Sequence, residues 1–287
     1  MESEGSVTPW LAAGVEGALV PPTGAATNNP ATPEQVQRMQ QRLRDELNAG
    51  GLAVGMGIQY TPGATRWEII EMFRVAAERS VPVFVHTCGD RVESVGEVIA
   101  AAAVTGASLH IMHINSSCLR EAPECLQMVA GARGRGLDVT TEAYPYIAGT
   151  TQINSALFNP GWREKFEMDY SDLMIPSTGE RLTKERFEQL HASPQPQTII
   201  MFNNTQARVD QVIANPLVMI APTAYLVIRV TRARSVVCCR NTCVNGNPAA
   251  FWTPCGRCPI CPRCAWSVAR RRPARRAVCK SVPMPTL

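Results

Sequence analysis

The feature that most constrains this chain is a repeating unit in which a short apolar run is followed by a helical stretch with one apolar face. Leu52 to Ile58 reads as a buried strand, and Thr61-Pro62-Gly63 as a turn. Thr65 and Glu68 then form a capping box that opens a helix. The unit recurs. Val83 to Val85 is a strand ending in His86, a helix covers Val92 to Thr105, Leu109 to Ile114 is a strand, Leu119 to Ala132 a helix, and Leu137 to Ala143 a further strand. A helix precedes the series: Thr32 caps it, Pro33 suits its first position, and Val36, Met39, Leu43 and Leu47 share one face before Gly50 and Gly51 stop it. Short apolar strands alternating with helices imply crossover units and a parallel sheet, doubly wound or closed as a barrel. No Gly-rich phosphate loop favours the doubly wound form.

From Ile147 to Gln197 the period is lost, apart from a short amphipathic helix expected at Leu182 to Leu190, so this stretch reads as an insertion over a barrel mouth. Thr198 to Phe202, a helix from about Gln206, and Leu217 to Ala221 restore the strand-helix-strand rhythm. Two histidines, His86 and His113, fall where α/β barrels place reactive groups, at the C-terminal ends of neighbouring strands. A strand-end histidine is more often a hydrogen-bonded structural residue than a ligand. Two in successive units can share a metal ion.

The wording around these histidines is more specific. Gly55 to Ala64, the Val85-His86-Thr87 strand end, His110 to Asn115, and Glu142-Ala143-Tyr144-Pro145-Tyr146 followed by Ile-Ala-Gly-Thr together resemble the amidohydrolase superfamily, in its D-aminoacylase or N-acyl-D-amino-acid deacylase branch. The resemblance runs from about Ala31 to Ala221, and the Tyr-Pro-Tyr motif with its Ala-Gly-Thr is its most specific part. It implies a (β/α)8 TIM barrel binding one or two zinc ions through a His-x-His pair on the first strand, one histidine on each of the fifth and sixth strands, and an Asp on the eighth. In that scheme zinc acidifies water and polarises an amide carbonyl while the Asp moves the proton. By the resemblance His86 takes the fifth-strand place, His113 the sixth, and Tyr146 and Asn115 stand near substrate, a small N-acylated amino acid or related amide. Cys88 stands where relatives often carry Arg, and Asn115 where many carry Lys.

The departures are as informative. His86, His110, His113 and His191 are the only histidines, so no His-x-His pair exists. Where relatives continue the last strand with Ser-Asp-Gly, this chain has Pro222-Thr223-Ala224, so no general-base Asp is retained and the expected hydrolase of non-peptide C–N bonds is inactive in this form. The expectation is therefore an incomplete barrel over residues 32–221 with an insertion at 147–197, preceded by an unassigned segment 1–31. Uncovered sheet edges in such a chain predict poor solubility.

Composition changes abruptly after Ala221. All 24 acids precede Pro222, against 16 Lys and Arg, while the segment 222–287 has no acid, 11 Arg and one Lys. Eight of the 11 cysteines also lie there. Back-translation offers a cause: the codons of Ala221 to Ala224, read two bases later, admit Ser-Asp-Gly, and the same offset yields family-like segments further on. Residues 222–287 are thus expected to be an out-of-frame, disordered basic tail. The alternative takes Cys255, Cys258, Cys261 and Cys264 as metal ligands and the arginines near Arg270 to Arg276 as a nucleic-acid patch. Three successive two-residue gaps leave little chain for a tetrahedral site, and no aromatic platform accompanies the arginines, so neither specific nucleic-acid binding nor membrane binding is expected. The acidic start lacks a secretory signal, which places the chain in the cytoplasm by default.

Overall fold

A computed structural model describes residues 22–87 and 91–221. Cys88 and the tail 222–287, with the readings that fall on them, lie outside the described residues, as does most of the segment 1–31.

Five parallel strands form the main sheet in the order β1, β2, β3, β4, β8. They are β1 (Val54–Gly57), β2 (Val83–His86), β3 (Leu109–Ile111), β4 (Val139–Ala143) and β8 (Val218–Ile220). The register aligns Gly55 with Phe84, Phe84 with His110, and His110 with Thr140. Both β1 and β8 are edges, so among the described residues the sheet is open rather than a closed barrel.

Helices Pro33–Asn48, Arg66–Glu78, Val92–Thr105, Ala122–Gly134 and Gln206–Ile213 pack with one face of this sheet into a single core. The start signals work as the sequence suggests: Thr32 and Thr65 each accept from the backbone N–H three residues on, and Gln35 and Glu68 reach back to the capping residues. Helix Val92–Thr105 ends at Gly106 in the left-handed conformation, φ 76°. Met39, Met72 and Phe73 from these helices and Val83, Val85 and Ile111 from the strands are all fully buried, each large side chain contributing roughly 1.5–3 kcal/mol by leaving water.

Three expectations shift. Leu52 is exposed and precedes the strand, which starts at Val54. Strand β3 stops at Ile111; Ile114 begins a four-residue helix, and the N–H groups of Ser116 and Ser117 turn back to the carbonyl of His113. The third concerns Thr198. Strand β7 (Thr198–Met201) does not join the parallel sheet but pairs antiparallel with β5 (Gly149–Gln152) and β6 (Leu173–Met174), forming a second, three-stranded sheet with the stretch expected as an insertion. Its core includes Ile153, Phe158, Trp162, Phe166, Leu173, Phe187 and Ile199. The amphipathic helix expected there is Lys184–His191.

The insertion is fastened to the strand ends. Arg91, just after β2, donates to Glu121, to the Lys165 carbonyl and to Glu167, the last at 2.8 Å, and Arg120 also pairs with Glu167. Asn204 Nδ2 donates to the Asn115 carbonyl at 2.7 Å.

Candidate metal centre

Alternation along the strands decides which side chains reach the site. On β2, Val83 and Val85 face the helices while Phe84 and His86 take the opposite face; on β4, Val139, Thr141 and Ala143 are buried against the helix side while Thr140 and Glu142 are partly open. The open face is the one that a closed barrel would turn inward. Its C-terminal end gathers His86, His113, His110 and Glu142.

The rings of His86 and His113 lie edge to face with centroids 5.5 Å apart. His86 is flanked on its other side by Tyr60 at 5.5 Å, and His113 by Tyr144 at 5.5 Å, with Tyr146 stacked beyond at 6.3 Å. Five rings are therefore linked in one chain of contacts. The Nδ1 atoms of His86 and His113 are both buried and make no hydrogen bond. For His113 the nearest charged acceptor is Glu142 Oε1 at 3.0 Å, within range but out of line. Buried polar atoms are normally satisfied, so the His86 nitrogen, with no charged group against it, is what a missing partner such as a metal ion would leave behind.

Electrostatics points the same way. Burial, with the neighbouring His113, lowers the His86 pKa to about 3, which keeps the ring neutral and able to ligate at ordinary pH. Burial works to raise the Glu142 pKa, but the His110 and His113 rings outweigh it and hold the carboxyl at about 2. Glu142 is thus ionised. Burial also raises the Tyr60 hydroxyl pKa, and that of Tyr144 to about 12, so both are neutral phenols.

The expected site residues fare differently. His86 and His113 come together, although His113 sits two residues beyond the end of β3, in the left-handed region at φ 51° and ψ 50°. Asn115 is fully buried, donating through Nδ2 to the Tyr144 carbonyl at 3.0 Å and accepting from the Tyr144 N–H at 3.4 Å. Tyr146 lies at the end of the chain of ring contacts. His110 is buried too, its Nδ1 2.8 Å from the Thr140 hydroxyl, and His191 stacks on Phe187 in the insertion. Glu142 escaped the sequence reading, although its place near the end of a strand on the polar face was the available signal. Among the described residues no group of three His, Cys, Asp or Glu is arranged to hold a metal, and His86 and His113 bring two imidazoles together. Among the same residues no helix is long and apolar enough to cross a membrane.

No protein-family model matches the chain. A curated N-acyl-D-glutamate deacylase from Alcaligenes xylosoxydans xylosoxydans is 32% identical over 143 residues, 44% of this chain and 28% of that protein. The solved N-acyl-D-glutamate deacylase of Bordetella bronchiseptica, complexed with zinc and a phosphonate inhibitor, superposes with TM-score 0.56 at 21% identity over 68% of this chain and 44% of that one. A D-aminoacylase structure described as defining a novel subset of amidohydrolases gives TM-score 0.54 at 22% identity over 68% and 44%. The chain spans less than half the length of each. The matches bear out the resemblance to the D-aminoacylase branch of the amidohydrolases, and the structural ones establish a shared fold.

Proposed function

We propose that this chain carries part of the metal centre of an N-acyl-amino-acid deacylase, with His86 and His113 as zinc ligands. The observation that carries the reading is the buried, unbonded Nδ1 of His86 beside the adjoining His113 ring, at the ends of neighbouring parallel strands. Zinc there would supply Lewis acidity toward an amide carbonyl and a nucleophile available at neutral pH. The chain's own residues do the rest: burial keeps His86 neutral, Tyr60 and Tyr144 wall the two rings, and Tyr146 borders the space where an N-acyl amino acid would lie. Asn115 serves by holding the Tyr144 main chain.

Two imidazoles are one short of the three protein ligands that catalytic zinc sites supply. We therefore propose that this chain binds zinc weakly and turns over N-acyl amino acids slowly or not at all, as a cytoplasmic protein whose residues 222–287 are read out of frame. The test is a zinc titration of the full chain with the eight cysteines beyond Ala221 changed to serine, alongside deacylase assays on N-acyl-D-amino acids. One zinc per chain, lost in His86→Ala and in His113→Ala, is expected. Zinc binding indifferent to both substitutions sinks the reading, and zinc bound only when those cysteines are present favours the tail as the metal site. DNA sequence around the Ala221 codon checks the frame.

A further inference from the structure

We propose that Glu142 is the positioning residue for His113: its carboxylate takes the Nδ1–H of that ring, which leaves Nε2 as the nitrogen turned toward the space shared with His86. The first half stands on geometry alone; the second rests on the zinc reading above.

Strand β4 treats its neighbour's histidines in a regular way. His110 lies opposite Thr140 in the ladder, and the Thr140 hydroxyl lies 2.8 Å from His110 Nδ1. Thr140 Oγ1 also lies 3.4 Å from the Leu109 carbonyl, to which it can donate, so the hydroxyl ties the His110 ring to the strand. His113 lies past the end of the ladder, where no strand residue faces it directly. Glu142, two residues along the same face of β4, reaches it instead: Oε1 is 3.0 Å from His113 Nδ1, and Oε2 is 3.8 Å from His110 Nε2. The Glu142 side chain is only 13% exposed and that of His113 14%. A carboxylate with so little water needs donors, and His113 Nδ1 is buried without an aligned partner. An Nδ1–H of His113 aimed at Oε1 would satisfy both groups. A carboxylate so bonded fixes both the tautomer and the ring plane of a ligating histidine.

The experiment uses the full chain with the eight tail cysteines changed to serine, labelled with 15N-histidine and held metal-free at pH 8. Nitrogen chemical shifts report which ring nitrogen of His113 carries the proton, a property that a merely space-filling Glu142 would not set. We expect the Nδ1–H tautomer in the parent and a mixed population in Glu142→Gln, whose amide can donate as readily as accept. Glu142→Asp, which keeps the charge, should restore the Nδ1–H form in part, and Thr140→Val should leave His113 unchanged. Zinc titrated into the same samples should bind about 10–100-fold more weakly in Glu142→Gln. An Nε2–H tautomer in the parent overturns the clamp whatever zinc does, and it is read even if Glu142→Gln fails to fold. An Nδ1–H tautomer in a parent that binds no zinc upholds the clamp and removes the metal reading instead.

Discussion

The two faces of the parallel sheet are built by the same strands and obey opposite rules. On the helix side Val83, Val85, Leu109, Ile111 and Val139 are buried to within 1%, and the fold's cohesion lies there. On the other face Gly55, Phe84, His110 and Thr140 follow one another across the register, His86 and Glu142 lie two residues further along β2 and β4, and Phe84 is 36% exposed. Chemistry collects on the face that contributes least to stability. Each residue step along a strand crosses from one set of rules to the other.

Substitutions can break this contrast, the largest effect first. Ile111→Ala, on the packed face, should cost roughly 2–5 kcal/mol through lost burial and a residual cavity, read from urea denaturation; a loss below 1 kcal/mol would mean the packed face is not what holds the sheet. An acid effect comes next, from the open face. His86 has a folded-state pKa of about 3, below its unfolded value, so the unfolded chain takes up the proton first and stability falls as pH drops from about 6.5 toward 3. Between pH 7 and 4.5 the loss should be roughly 2 kcal/mol, and His86→Gln should remove most of that slope. Glu142, held at about 2, adds a loss in the same direction only below about pH 4.5. Smallest is Gly55→Ala: an added Cβ meets nothing within 4 Å and the backbone is not left-handed, so the change should lie within about 0.5 kcal/mol of neutral or stabilise slightly. A strongly destabilised Gly55→Ala would show that the open face is covered in solution.

Local signals were legible and non-local ones were not. The capping residues Thr32 and Thr65 announced their helices because each bond closes within one turn. The apolar run at Met112 to Ile114 reads as strand, but the left-handed turn at His113 ends the ladder early, and no local pattern marks such a residue. Thr198 to Met201 looks like any buried strand; its antiparallel partner Gly149–Gln152 lies almost fifty residues away, and that pairing is set by the insertion's aromatic core. Position and family resemblance together single out the histidine pair. Glu142 carries no local mark, because one acid after two threonines looks like an ordinary solvated position until the neighbouring strand brings His113 against it.

The guanidinium of Arg91 serves three segments at once: the β2 exit, the stretch carrying Glu121, and the insertion through Lys165 and Glu167. None of these segments shares a ladder with another. Added salt or loss of Glu167 would thus weaken a tie between segments distant in sequence while leaving the contacts of both imidazoles untouched.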